Sequence, residues 1–97
     1  MRALFTRRLS PPRATLYSKA DCPLCHDAER AINAVFGSAR VDVVDIAGDR
    51  QLEDEFIFRI PVLVVNGRVL AEGRISMADA RRARTIALDP PRPVERR

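Results

Sequence analysis

Ninety-seven residues, 46% of them hydrophobic, suffice for one compact domain with a modest core and exclude a two-domain chain. With four Phe and no Trp, small aliphatic side chains must fill the interior. The formal net charge of +4 sits at the ends: residues 1–13 carry four Arg and no acid, residues 74–97 carry seven Arg against Asp79, Asp89 and Glu95, and residues 14–73 are net −4. No basic stripe is interleaved with aromatics, so solubilising termini are expected and no specific nucleic acid. No run reaches the roughly 18 apolar residues of a membrane helix, and Met1 to Pro12 lacks the continuous apolar stretch of a secretory leader, so no membrane partner and a cytoplasmic location are expected.

Residues 1–13 end in Ser10-Pro11-Pro12-Arg13 and read as a flexible basic lead-in, because two prolines disfavour helix and sheet ladders alike. Ala14-Thr15-Leu16-Tyr17-Ser18 is a predicted strand and Lys19-Ala20-Asp21 the turn out of it. From Pro23 the period changes: Leu24, Ala28, Ala31, Ile32, Val35 and Phe36 recur at three- and four-residue intervals, which predicts an amphipathic helix ended by Gly37. Pro23 suits its first position, where an N–H would be unpaired anyway.

Arg40 to Ile46 is short and β-branched, and the consecutive Val43-Val44 predicts an internal strand covered on both faces. After the turn Ala47-Gly48-Asp49, Leu52, Phe56 and Ile57 predict a short helix with Glu53, Asp54 and Glu55 on its wet side. Ile60 to Val65 and Arg68 to Glu72 flank Asn66-Gly67, the strongest short hairpin signal, because a type I′ turn needs positive φ at both central residues. Pro61 belongs at the start of its strand. Ser76 and Asp79 have capping-box spacing for a last helix, with Ile75 placed to staple against Ala80 and an apolar face of Met77, Ala80, Arg84, Ala87 and Leu88. Pro90-Pro91 stops that helix, and residues 89–97 form a polar tail.

The order β-α-β-α-β-β-α predicts an α/β domain over residues 14–88, a four-stranded mixed sheet with helices on both faces. Leu16, Ala28, Ile32, Val35, Val43, Ile46, Leu63, Val65 and Leu70 are its predicted core.

The only two cysteines stand in Cys22-Pro23-Leu24-Cys25, between the first strand and the first helix. A pair so close in sequence makes a poor staple and reads as redox or metal chemistry. At a helix start, unpaired N–H groups and the positive end of the dipole favour a thiolate at Cys22, lowering its pKa below the about 8.5 of a free cysteine. Cys25, one turn on, is placed to displace a mixed disulfide. Lys19 is placed to support the thiolate, while Asp21 and Asp27 oppose it.

Other readings of these residues stay open. Cys22-Pro23-Leu24-Cys25-His26 matches the haem-attachment spacing C-x-x-C-H, with Met77 only a nominal axial partner. Two Cys and His26 supply at most three metal ligands where a closed zinc site uses four, so no resident metal is expected, although a cluster shared between two chains fits the count. His26 itself reads as a helix-side surface residue or as an electrostatic neighbour of the thiols. A binding or scaffold domain that responds to oxidation of the pair is the non-enzyme alternative.

Over residues 14–88 the chain resembles the glutaredoxin-like branch of the thioredoxin superfamily: Lys19 before Cys22-Pro23-Leu24-Cys25 looks like the active-site segment, and Arg59-Ile60-Pro61-Val62-Leu63 looks like the stretch with that fold's cis-proline. The resemblance implies Cys22 as nucleophile, Cys25 as resolving thiol, and a cis Ile60-Pro61 bond whose Ile60 backbone, with Lys19, Pro23 and Leu24, borders the substrate. It implies thiol–disulfide exchange on proteins or small thiols, electron transport in cellular redox homeostasis, no tightly bound cofactor, and glutathione or a thioredoxin system as reductant. Two departures stand out. Leu24 replaces an aromatic residue, and Glu72-Gly73-Arg74-Ile75-Ser76 replaces the Gly-Gly, small polar residue and Asp that grip glutathione's carboxylate; Arg74, Ser76 and the helix start are the substitutes this sequence offers.

Overall fold

A computed structural model of the protein describes residues 12–88. Residues 1–11 of the 1–13 lead-in and the tail over residues 89–97 lie outside the described residues. Strands β1 (Ala14–Ser18), β2 (Val41–Asp45), β3 (Val62–Val65) and β4 (Arg68–Glu72) alternate with helices α1 (Pro23–Phe36), α2 (Arg50–Phe56) and α3 (Met77–Leu88), and a 3-10 turn (Ser38–Arg40) precedes β2. The sheet order is β2-β1-β3-β4, with β1 parallel to β2 and antiparallel to β3, and β3 antiparallel to β4. This is the predicted α/β architecture.

Alternation along β1 and β3 sorts side chains to two faces. Leu16, Leu63 and Val65 join Ala28, Ile32 and Phe36 of α1 and Ala80 and Ala83 of α3 in one buried cluster. On the other face Val62, Ile46 and Phe56 are buried, with Tyr17, Leu52, Ile57 and Val64 packed around them. There the Tyr17 and Phe56 rings stack at 4.4 Å between centroids, seating the two-turn helix α2 on the strands.

Three expectations about packing need correction. β2 is an edge strand, so Val43 is 43% exposed and does not belong to the core; consecutive valines here mark an edge with Asp42 and Asp45 in water. The buried stripe of α3 runs through Ala80 and Ala83, while Met77 and Leu88 are 41% and 39% exposed, because only methyl-sized side chains let α3 lie close to the alanines of α1. Leu70 and Val35 are half-buried, packed against the first cluster. A bulge in β4 opposite Leu63 and Val64 turns both Leu70 and Ala71 to that cluster, where strict alternation admits one of them.

The local signals hold in detail. Asn66 (φ 53°) and Gly67 (φ 76°) form the left-handed pair that the hairpin requires. Asp49 caps α2, its carboxylate accepting from Leu52 N–H at 3.1 Å. At the start of α3 the Asp79 carboxylate accepts from the Ser76 N–H at 3.0 Å and the Ser76 hydroxyl at 2.9 Å, while Asp79 N–H donates to Ser76 Oγ at 3.1 Å. The Ser76 N–H above all, then the Arg82 guanidinium, hold the Asp79 carboxyl at about 2, below its ordinary 3.8.

Because the folded value lies below the unfolded one, the Asp79 contribution to stability is present above the ordinary value and is lost as pH falls through about 2. Stability of the protein measured by urea unfolding is therefore expected to decline between pH 4 and pH 2, and Asp79→Asn is expected to flatten that part of the profile. An unchanged acid limb in the variant would contradict the assignment.

Candidate active site

The topology gathers four connections at one end of the sheet. β1 leaves the sheet at Ser18 and β2 at Asp45, which are register partners, while antiparallel β3 enters at Val62 opposite Tyr17 and β4 leaves at Glu72 opposite Val62. The segments 19–22, 46–49, 57–61 and 73–76 therefore share that end, and with them Lys19, Cys22, Ile60, Pro61 and Arg74.

Cys22 is the N-cap of α1 in extended conformation (φ −116°, ψ 105°), and Pro23 takes the first helical turn. The sulfurs of Cys22 and Cys25 are joined as a disulfide with their Cα atoms 5.1 Å apart. The two halves of the pair are not equivalent: Cys22 is half-buried and its Sγ accepts the Cys25 N–H at 3.2 Å, whereas Cys25 is 1% exposed inside the helix. The same N–H also reaches the Cys22 carbonyl at 3.0 Å, and a first-turn N–H directed at an N-cap sulfur favours negative charge on it. Pro23 is exposed, and Leu24 and Lys19 are half-buried.

The Ile60-Pro61 bond is cis, as the resemblance implied, and Pro61 is buried while Ile60 is half-buried against the α2-side cluster. The Ile60 N–H is already engaged, donating to the Phe56 carbonyl at 3.0 Å. That N–H is therefore not a free donor at this end of the sheet. Arg74 is exposed. The donors that Ser76 offered to an anion are likewise engaged, held by the chain's own Asp79.

Sequence reasoning missed the contacts by which three residues, His26, Arg59 and Gly73, shape this end. The His26 ring bonds the Ala20 carbonyl through Nε2 at 2.7 Å, tying the first turn of α1 to the loop before Cys22. A carbonyl only accepts, so Nε2 carries the proton. Arg59 extends its guanidinium over the Phe56 ring at 5.3 Å and pairs with Glu72 at 2.7 Å and Glu55 at 3.4 Å. Gly73, at φ +80°, sends its N–H to the carbonyls of both Arg59 and Pro61, at 3.1 and 2.9 Å. Counting outward from Asn66-Gly67 sets Glu72 opposite Pro61 and Arg59 opposite Arg74, so the hairpin signal does not reveal the Arg59–Glu72 pair.

Among the described residues, no group of three or more His, Cys, Asp or Glu side chains is arranged to hold a metal ion, and no helix is long and apolar enough to cross a membrane.

A cysteine pair at a helix start, a cis-Pro61 leading into β3 at the same end of the sheet and the β-α-β-α-β-β-α order define a thioredoxin-like domain with a redox-capable cysteine pair. The chain belongs to the glutaredoxin-like family: the model of the Glutaredoxin-like domain (DUF836) matches residues 13–83. It is similar to the X-ray structure of a structural-genomics target protein from X. campestris, with 29% identity, a TM-score of 0.65, and 79% of this chain and 99% of that one covered. A solution structure of a protein from Nitrosomonas europaea shares the fold at 20% identity and a TM-score of 0.58, over 66% of this chain and 80% of that one. Oxidized glutaredoxin 2 from Chlamydomonas reinhardtii shares it at 22% identity and a TM-score of 0.51, over 90% and 84%. No curated protein matches the sequence.

The hydrogen bond to Ala20 sets a check on the site. Nitrogen-15 NMR of the imidazole is expected to find the neutral ring of His26 with its proton on Nε2. A proton on Nδ1 would contradict the loop clamp.

Proposed function

We propose that the protein is a dithiol thiol–disulfide oxidoreductase. The observation that carries this reading is the asymmetry of the pair, with Cys22 reachable and capped by a helix N–H and Cys25 covered one turn behind it. In the reduced protein the Cys22 thiolate attacks a substrate disulfide, forming one mixed disulfide and releasing the other substrate half as a thiolate. The Cys25 thiolate then attacks the Cys22 sulfur, releasing the second half and leaving the Cys22–Cys25 bond. Two electrons pass from protein to substrate, and two from an external thiol reductant, glutathione or a thioredoxin system, restore the dithiol.

Protein disulfides or small-molecule disulfides are the substrates of this reading, and a reducing compartment such as the cytoplasm is where such a pair is kept reduced. Engagement of Ser76 by an ionised Asp79 weighs against a substrate gripped by its own carboxylate at the start of α3, where it would meet a like charge. The absence of a bound cofactor from the scheme follows from the chemistry, since both half-reactions use only sulfur.

Turnover of a peptide disulfide, with glutathione and with a thioredoxin system supplied separately, tests the proposal. Cys22→Ser is expected to abolish turnover, and Cys25→Ser is expected to stop after the first step with the peptide held on Cys22, visible by mass spectrometry. Full activity in Cys22→Ser would refute it.

A further inference from the structure

The segment between α2 and β3 carries an aromatic ring that the packing of the domain leaves unused. Phe58 is 97% exposed, whereas Ile57 and Ile60 on either side of it pack against the α2-side cluster. The backbone that presents the ring is fixed. Arg59 N–H and Ile60 N–H both donate to the Phe56 carbonyl, at 2.7 and 3.0 Å, and the Arg59 carbonyl accepts from Gly73 at 3.1 Å. Arg59 adds its ion pairs to Glu55 and Glu72 and its contact with the Phe56 ring. Single apolar side chains on a surface are ordinary. This one differs in being a whole ring held outward by a pinned loop, two residues from Ile60 and at the dithiol end of the sheet.

Resting on the exchange reading above, we infer that Phe58 docks an apolar, extended stretch of the polypeptide whose disulfide is presented to Cys22. Three observations select this occupant. The loop enters β3 at the end of the sheet where the segment to Cys22 leaves β1, so the ring and the cysteine pair lie at one end of the domain. One aromatic ring buries about 150–250 Å², far below the roughly 800 Å² per partner of a stable protein complex, which fits a short segment in passing contact and not a second copy of the chain. Arg59 beside the ring is already held by two carboxylates, Glu55 and Glu72, so no free cation there draws an acidic partner and the surplus negative charge disfavours one. Glutathione has no apolar side chain to cover the ring, so the contact separates polypeptide disulfides from small ones.

The test uses the full chain and its Phe58→Ser variant, whose fold is expected to be intact because the ring touches nothing internal. Two peptides with one central Cys, flanked by Leu and Val in one and by Ser and Gly in the other, are supplied as mixed disulfides, alongside bis(2-hydroxyethyl) disulfide. Phe58→Ser is expected to lower the second-order rate with the Leu/Val peptide about tenfold and to leave the other two substrates unaffected. Equal rates for the Leu/Val peptide with both proteins would overturn the inference. If the unmodified protein reduces none of the three, the exchange reading fails by itself; fluorescence anisotropy with the Leu/Val peptide carrying Ser for Cys then decides the docking, weaker binding to Phe58→Ser supporting it and equal binding overturning it. A concentration-dependent dimer in sedimentation that Phe58→Ser abolishes would also overturn it, by giving the ring to a second copy.

Discussion

The antiparallel pairing of β1 with β3, with Tyr17 opposite Val62, is the constraint on which the site depends. It brings the exit of β1, and so Cys22, to the end of the sheet where Pro61 leads into β3. Parallel pairing with β2 and the hairpin to β4 then deliver the loop before α2 and the loop before α3 to that end. Both faces of β3 are buried, so a one-residue slip of its register would turn Leu63 and Val65 toward the α2 side and expel the ladder that holds this arrangement. The chemistry is thus placed by the central strands and carried by their connections, a common division between a rigid scaffold and functional loops.

Two helix starts at this end are satisfied in opposite ways. α1 is capped by a sulfur, so a donor of the helix is directed at the atom whose charge the proposed reaction changes. α3 is capped by Ser76 and Asp79, which close on each other and fill the start of the helix with the chain's own carboxylate. The first arrangement leaves a reactive position and the second removes one. That contrast is why the proposed function rests on the cysteine pair alone and assigns no anion site to the end of α3. His26, Arg59 and Gly73 act between these points, fixing the loops by hydrogen bonds and ion pairs that do not touch sulfur.

Most of the architecture was readable because each element carried two agreeing signals: Pro23 beside an apolar stripe, Asn66-Gly67 between β-branched runs, Ser76 three residues before Asp79. The cysteine pair was equally plain from its spacing and its place at a strand–helix junction. What failed depended on sheet order, which local pattern does not encode. Val43-Val44 looks the same in a central strand as at an edge, and only the order β2-β1-β3-β4 exposes Val43. The stripe of α3 was misread because its contacts are alanines, weak in any hydrophobic pattern yet decisive for a close helix–helix approach. His26 was noticed for its spacing to the cysteines, while its actual partner is a backbone carbonyl, a group that sequence does not distinguish from any other.

The two thiols are unequal, Cys22 open at the helix cap and Cys25 covered behind it. Reaction of the reduced protein with iodoacetamide, followed by peptide mass spectrometry over time, measures this directly. Cys22 is expected to be modified first, with Cys25 protected until the protein is unfolded. Equal rates at the two cysteines, or faster modification of Cys25, would contradict the account.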